Sequence, residues 1–323
     1  MVENPIISIV QNQRVVILDG GLATTLENRG HSLNHELWSA KLLLEDLEAI
    51  RQVHLDFLSA GADCITTATY QATSLGFQEH GLTEQESVSI MRQAVELATV
   101  ARNFFWSTES NRMGRTKPLV AASIGPYGAY LADGSEYTGD YDIEDEQLYE
   151  FHRARWEILH DCGADLFACE TIPSQQEAKV LLRVFTDHPE TWVWLSFCCR
   201  DKQSLRDGSS FGDMVQACSS IENVAAIGVN CTSPDHISAL VSIAREVTTK
   251  PVLVYPNAGE KYDPVRKEWI DSPANIDWSI KPAEWVRLGA TGIGGCCRIG
   301  PERIRELRRL VLPEPSFSAS GRV

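Results

Sequence analysis

The chain has 323 residues, 43% of them hydrophobic and 23% charged, a length that one large α/β barrel uses as a single unit and a balance expected of a soluble fold. Its net charge of −15, from 29 Lys and Arg against 44 Asp and Glu, comes with no basic cluster, which argues against nucleic acid and against anionic membranes as partners. No stretch approaches the roughly 20 apolar residues of a membrane span, and the start Met1-Val2-Glu3-Asn4-Pro5 shows no signal or transit pattern, so the cytoplasm is the expected location.

Eight short β-branched or apolar runs read as strands: Val15–Leu18, Asp63–Thr67, Leu119–Ser123, Asp165–Cys169, Trp192–Phe197, Ala225–Val229, Pro251–Tyr255 and Thr291–Gly294. Segments of helical period lie between them, for example Leu43, Leu47, Ile50 and Phe57, or Val88, Met91, Val95 and Ala98. Three helix-to-strand joins share one spelling, Gly61-Ala62-Asp63, Gly163-Ala164-Asp165 and Gly289-Ala290-Thr291, in which glycine suits the left-handed residue that ends a helix. This alternation predicts an α/β fold, a single (β/α)8 TIM barrel over residues 1–311, with 312–323 a loosely ordered Pro/Ser tail. A doubly wound open sheet shares much of the same local pattern. Residues 107–117 read as a polar loop and not as a domain boundary.

In a barrel the segments that follow the strands gather at one face and build the active site. There stand Asp19-Gly20-Gly21, Thr69-Tyr70-Gln71, a long third segment from Gly125 to Tyr137, Glu170-Thr171, Asn230-Cys231-Thr232, Pro256-Asn257-Ala258-Gly259-Glu260 and Gly294-Gly295-Cys296-Cys297-Arg298. The nine cysteines are odd in number and come with no secretory signal, so a disulfide framework is not expected, and most of them should be small buried hydrophobes. Cys231 with Cys296-Cys297 offers three thiols, and three sulfur ligands with one open position describe a catalytic zinc site. Neighbours in a regular strand face opposite ways, and Gly294-Gly295 lets the backbone leave the pleat so that both late thiols reach one ion. Cys198-Cys199-Arg200 also ends a strand, without such a glycine; spacing alone does not choose between the pairs.

The motifs Asp19-Gly20-Gly21, Tyr70-Gln71-Ala72-Thr73, Gly125-Pro126-Tyr127-Gly128-Ala129-Tyr130 running to Asp133-Gly134-Ser135-Glu136-Tyr137, Glu170-Thr171-Ile172-Pro173, Gly228-Val229-Asn230-Cys231 and Gly294-Gly295-Cys296-Cys297-Arg298 together resemble the homocysteine S-methyltransferase family. The resemblance covers nearly the whole chain. It is nearest to the branch that uses S-methylmethionine, and often S-adenosylmethionine, as methyl donor; the betaine-using branch carries a long C-terminal extension that this chain lacks. The resemblance implies Zn2+ as cofactor, with Cys231, Cys296 and Cys297 as its ligands and no such role for Cys198-Cys199. It also implies that Asp19 and Glu170 bind homocysteine, and Gly20, Gly21, Tyr70 and Asn230 join them as expected substrate contacts. One departure is Ala258, where relatives often carry Ser.

The expected chemistry follows. Free thiols titrate at about 8.5, and zinc turns the substrate thiol into the nucleophilic thiolate. Attack on a sulfonium methyl cancels two charges, with Tyr70, Tyr127 and Tyr130 as candidate cation–π partners for the donor. Glu170 is expected to meet the homocysteine ammonium and the Gly20 and Gly21 amides its carboxylate, while Asp19 either joins them or caps its own turn. Asp133 and Tyr137 are expected only to fold the third segment into a lid. The partners are then small molecules, in a monomer or a small homo-oligomer. Two other readings stand beside this one: a structural or redox thiol cluster without methyl transfer, and a metal-free barrel that binds an amino acid.

Overall fold

The computed structural model of the chain describes residues 3–33, 35, 37–259, 261–263, 268–270 and 276–312. Each of the eight apolar runs forms a strand: β1 (Val16–Ile17), β2 (Cys64–Thr66), β3 (Leu119–Ile124), β4 (Leu166–Ile172), β5 (Val193–Phe197), β6 (Val224–Asn230), β7 (Val252–Tyr255) and, after the short antiparallel pair β8 (Lys261–Asp263) and β9 (Glu268–Ile270), β10 (Gly292–Ile293). The barrel strands are parallel in the order β1-β10-β7-β6-β5-β4-β3-β2, and a parallel bridge from Leu18 to Cys64 brings the two ends together. This is a (β/α)8 TIM barrel and not an open sheet.

Local signals place the helices between the strands. Asp46 caps helix Leu47–Ala60, Thr83 and Glu86 form a capping box on helix Glu84–Ser107, and Ser174 caps helix Gln175–Asp187. The three glycines of the repeated join, Gly61, Gly163 and Gly289, have φ of 109°, 83° and 115°, the left-handed backbone that the join requires.

Inside the barrel, Leu18, Cys64, Ala121, Ala168, Trp194, Ala226, Leu253 and Tyr255 pack together, the alanines leaving room for the indole and the phenol. Helix Pro5–Gln13 joins the same cluster through Ile6 and Ile9, and Asn4 ties its start to the Ala225 carbonyl at 2.9 Å. A second and larger apolar layer fills the space between the sheet and the outer helices. Among the described residues no helix is long and apolar enough to cross a membrane.

The strand bounds differ from the expected ones where it matters for the site. β4 runs on through Glu170, Thr171 and Ile172, with a shift in its pairing to β5 between Cys169 and Ile172 and φ of 65° at Thr171. An irregularity of this kind re-aims side chains at a strand end. Asn230 is the last residue of β6 and not the first after it. Of the expected tail over 312–323 only Leu312 lies within the described residues, and Glu260 of the Asn257–Glu260 motif lies outside them.

Candidate metal centre and substrate cavity

At the C-terminal ends of the strands lies a cavity of about 630 Å³, and all nine residues nominated from the sequence line it: Asp19, Gly20, Gly21, Tyr70, Glu170, Asn230, Cys231, Cys296 and Cys297. Barrel closure accounts for this convergence, since it sets the ends of β1, β4, β6 and β10 around one opening. Backbone strain collects at the same place. Among the described residues five non-glycines have positive φ, and three of them, Ala132, Thr171 and Cys231, line the cavity.

The thiols stand as follows. Cys231, with φ of 46°, leaves the end of β6, and its sulfur meets that of Cys296 as a disulfide pair with Cα atoms 5.6 Å apart. Among the described residues this pair is the one exception to the expected lack of disulfides. Cys297 Sγ is 4.0 Å from Cys296 Sγ, and the three sulfurs lie within 4.8 Å of one another. Three sulfurs bound tetrahedrally at about 2.3 Å stand about 3.8 Å apart, so the reduced trio, its first pair released from the disulfide contact, is of a size and softness that suits a metal such as zinc. Both late thiols reach the cluster because β10 ends at Ile293, before the motif begins. Neither Gly294 nor Gly295 takes a left-handed backbone. They are glycines because a Cβ at Gly294 would meet Leu18 Cβ at 2.6 Å and one at Gly295 would overlap Ile299.

Cys198 and Cys199 stay outside the trio. Cys198 Sγ donates to the Cys231 carbonyl at 3.2 Å and receives Arg206 Nε at 3.2 Å, and the Cys199 amide donates to Thr232 Oγ1 at 2.9 Å. The end of β5 thus braces the turn that carries Cys231.

Two buried carboxyls share the cavity with the thiols. Asp19 Oδ2 accepts from the Thr66 amide at 2.7 Å and the Thr66 hydroxyl at 3.1 Å, so it joins β1 to β2. Burial pushes its pKa up to about 8 against those hydrogen bonds, with the charge of Glu170 adding to the rise. Glu170 accepts from Ser123 Oγ at 2.5 Å and bonds Tyr255, whose oxygen in turn receives Trp194 Nε1 at 3.0 Å. Burial raises its pKa to about 7, although both hydroxyls pull the other way. Gly21 cannot offer its amide to a substrate, because that N–H donates to the Ile299 carbonyl at 2.8 Å. Of the two expected amides only that of Gly20 lacks a partner among the described residues.

Of the three rings expected in the aromatic wall only Tyr70 lines the cavity. Tyr127 and Tyr130 do not line this cavity; Tyr127 packs against Tyr130, Tyr141 and Phe151, and Tyr130 donates to Glu79 at 2.7 Å. The helix Tyr127–Leu131 turns those two rings outward, and Tyr70, Tyr137 and Tyr255 form the wall instead. Tyr137, expected only to fold the third segment into a lid, lines the cavity, and the Arg206 guanidinium lies 5.9 Å from the centre of its ring. Four carboxyl groups, of Asp19, Glu27, Glu136 and Glu170, line the space, and among the described residues no lysine or arginine does.

A barrel whose mouth joins a three-sulfur cluster to buried carboxyls defines a thiol-handling enzyme of the TIM-barrel class. The sequence pattern of the family described as Homocysteine S-methyltransferase matches residues 16–311. The chain is 47% identical over 304 residues to homocysteine S-methyltransferase YbgG of Bacillus subtilis, covering 94% of this chain and 96% of that one. It is 44% identical to homocysteine S-methyltransferase of Escherichia coli, covering 94% and 98%. Among solved structures it is similar to the metallated form of the homocysteine methyltransferase MmuM from Escherichia coli, with a TM-score of 0.84 and 41% identity over 94% of this chain and 99% of that one, and to the oxidized form of the same protein, with a TM-score of 0.85 and 42% identity over 95% and 99%. The chain belongs to the homocysteine S-methyltransferase family. It is an enzyme of methyl transfer to homocysteine, and its cysteine cluster is suited to hold a metal.

Proposed function

We propose that Cys231, Cys296 and Cys297, once reduced, hold Zn2+ and leave one position open for the sulfur of homocysteine, with a sulfonium compound as the methyl donor. The observation that carries this reading is the meeting of three sulfurs and two buried carboxyls in one cavity, a set suited to an amino acid with a side-chain thiol. When bound, the metal supplies the Lewis acidity that keeps the substrate thiol ionised at neutral pH.

The chain's own residues do the rest. Glu170, steadied by Ser123 and Tyr255, and Asp19, steadied by Thr66, receive the substrate ammonium, whose arrival draws both carboxyls toward their ionised forms. The Gly20 amide is left for the substrate carboxylate. The wall of Tyr70, Tyr137 and Tyr255 and the acidic lining favour a cationic donor, each ring contact contributing about 0.5–2 kcal/mol. As the homocysteine thiolate forms its bond to the methyl carbon, the donor's carbon–sulfur bond breaks and the electron pair passes to the departing sulfur. An anion and a cation become two neutral thioethers, a change that a water-poor cavity favours. We favour S-methylmethionine over S-adenosylmethionine, on the resemblance to the branch that uses it; both products are then methionine. The reduced thiols that the metal needs suit a reducing compartment such as the cytosol.

A donor competition on the zinc-loaded protein tests this reading: S-methylmethionine should win in kcat/KM, and turnover of neither sulfonium would refute it. The disulfide contact between Cys231 and Cys296 favours a second reading of the cluster, a redox pair that holds no metal. Metal content after reduction separates the two.

A further inference from the structure

We infer that Thr171 and Asn230 are positioning residues that hydrogen-bond the sulfurs of the metal centre and so set how much charge those sulfurs carry. This inference rests on the metal reading above. The two side chains are buried, 1% and 0% exposed, and form a reciprocal pair: Asn230 Oδ1 accepts from the Thr171 amide at 2.8 Å, and Asn230 Nδ2 donates to Thr171 Oγ1 at 2.8 Å. Their remaining protons face sulfur. Asn230 Nδ2 lies 3.9 Å from Cys296 Sγ, and Thr171 Oγ1 lies 3.8 Å from Cys231 Sγ.

Proton bookkeeping fixes the direction of each bond. The amide spends one N–H on Thr171 and has its second for Cys296. The Thr171 hydroxyl also has the Tyr70 phenol as a neighbour. A phenol can give its own proton to Oγ1, whereas a thiolate can only accept, so the threonine proton goes to Cys231 once that residue is ionised. The backbone agrees. Thr171, a β-branched residue, holds φ of 65° at the irregular end of β4, a conformation such residues avoid unless their surroundings impose it. That turn is what brings a β4 side chain across to the sulfurs of β6 and the last loop. Partners of this kind orient ligands and draw off ligand charge, and their loss typically costs about 10–100-fold in metal affinity or activity.

Cobalt(II), used in place of zinc, gives thiolate-to-metal charge-transfer bands in the near ultraviolet that report the charge on the sulfurs. Thr171→Val keeps the shape and removes the hydroxyl; Asn230→Asp keeps the acceptor for the Thr171 amide and removes both N–H donors. Each should move the bands to longer wavelength and lower cobalt affinity by about 10–100-fold, and Thr171→Ser should restore both. Bands and affinity unchanged in Thr171→Val and in Asn230→Asp would overturn the inference and leave the metal reading intact. A wild-type protein with no such bands would overturn both.

Discussion

Asp19 and Glu170 are carboxyls whose burial raises their pKa values to about 8 and about 7, so that near pH 7 Asp19 is mostly neutral and Glu170 about half so until a cation arrives. The native state therefore binds more protons than the unfolded chain from about pH 4 upward. Stability carried by these groups is full below their ordinary values of 3.8 and 4.5 and is lost as pH rises through about 7 to 8. The melting temperature of the substrate-free protein should thus fall between pH 6 and pH 9, and Asp19→Asn should flatten that slope; an unchanged slope would place the burial cost elsewhere. Because the ammonium reverses the shift, the KM for homocysteine should also fall over the same rise in pH. Glu170→Gln removes a charged hydrogen bond of about 1.5–3 kcal/mol, so it should raise the homocysteine KM about 10- to 100-fold and leave the donor KM nearly unchanged. Equal changes in both would remove Glu170 from the amino-acid end of the cavity.

Among the elements, the segment from Gly125 to Tyr137 is folded by close contact. A Cβ on Gly128 would meet the backbone of Ser135 at 2.6 Å and would overlap the Glu136 amide, while Glu136 and Tyr137 line the cavity. Gly128→Ala should therefore push the segment off the opening and raise the donor KM several-fold with metal content intact; an unaltered donor KM would mean that Tyr137 does not meet the donor. The strands were legible because β-branched runs and the repeated Gly-Ala join are local signals. The cysteine trio was legible through motif order, although the need for Gly294-Gly295 is close packing and not a turn. What stayed hidden depends on three-dimensional direction. The irregular end of β4, which turns Thr171 toward sulfur, and the helix that swings Tyr127 and Tyr130 outward leave no periodic trace. Tyr255 was missed because it reads as one more apolar strand residue, and only the barrel brings its phenol to Glu170.

At the scale of the whole molecule, closure of the barrel makes the site, and the seam closes at β1, a strand of two residues. There Asp63, fully buried, accepts from the Ile17 amide at 3.0 Å and pairs with Arg308 at 2.9 Å, tying the last helix to the first two strands. Arg308→Ala should cost about 2–3 kcal/mol in denaturant unfolding and leave kcat at permissive temperature unchanged; a neutral result would show that Gln13 and Arg115 suffice to hold Asp63. In the proposed centre the closed barrel brings three sulfurs to one metal with room for a fourth. Zinc X-ray absorption on the reduced, metal-loaded protein tests it most directly: three sulfur neighbours at about 2.3 Å should become four when homocysteine is added. A count that stays fixed on addition of homocysteine, or a reduced protein that retains no zinc, would contradict it.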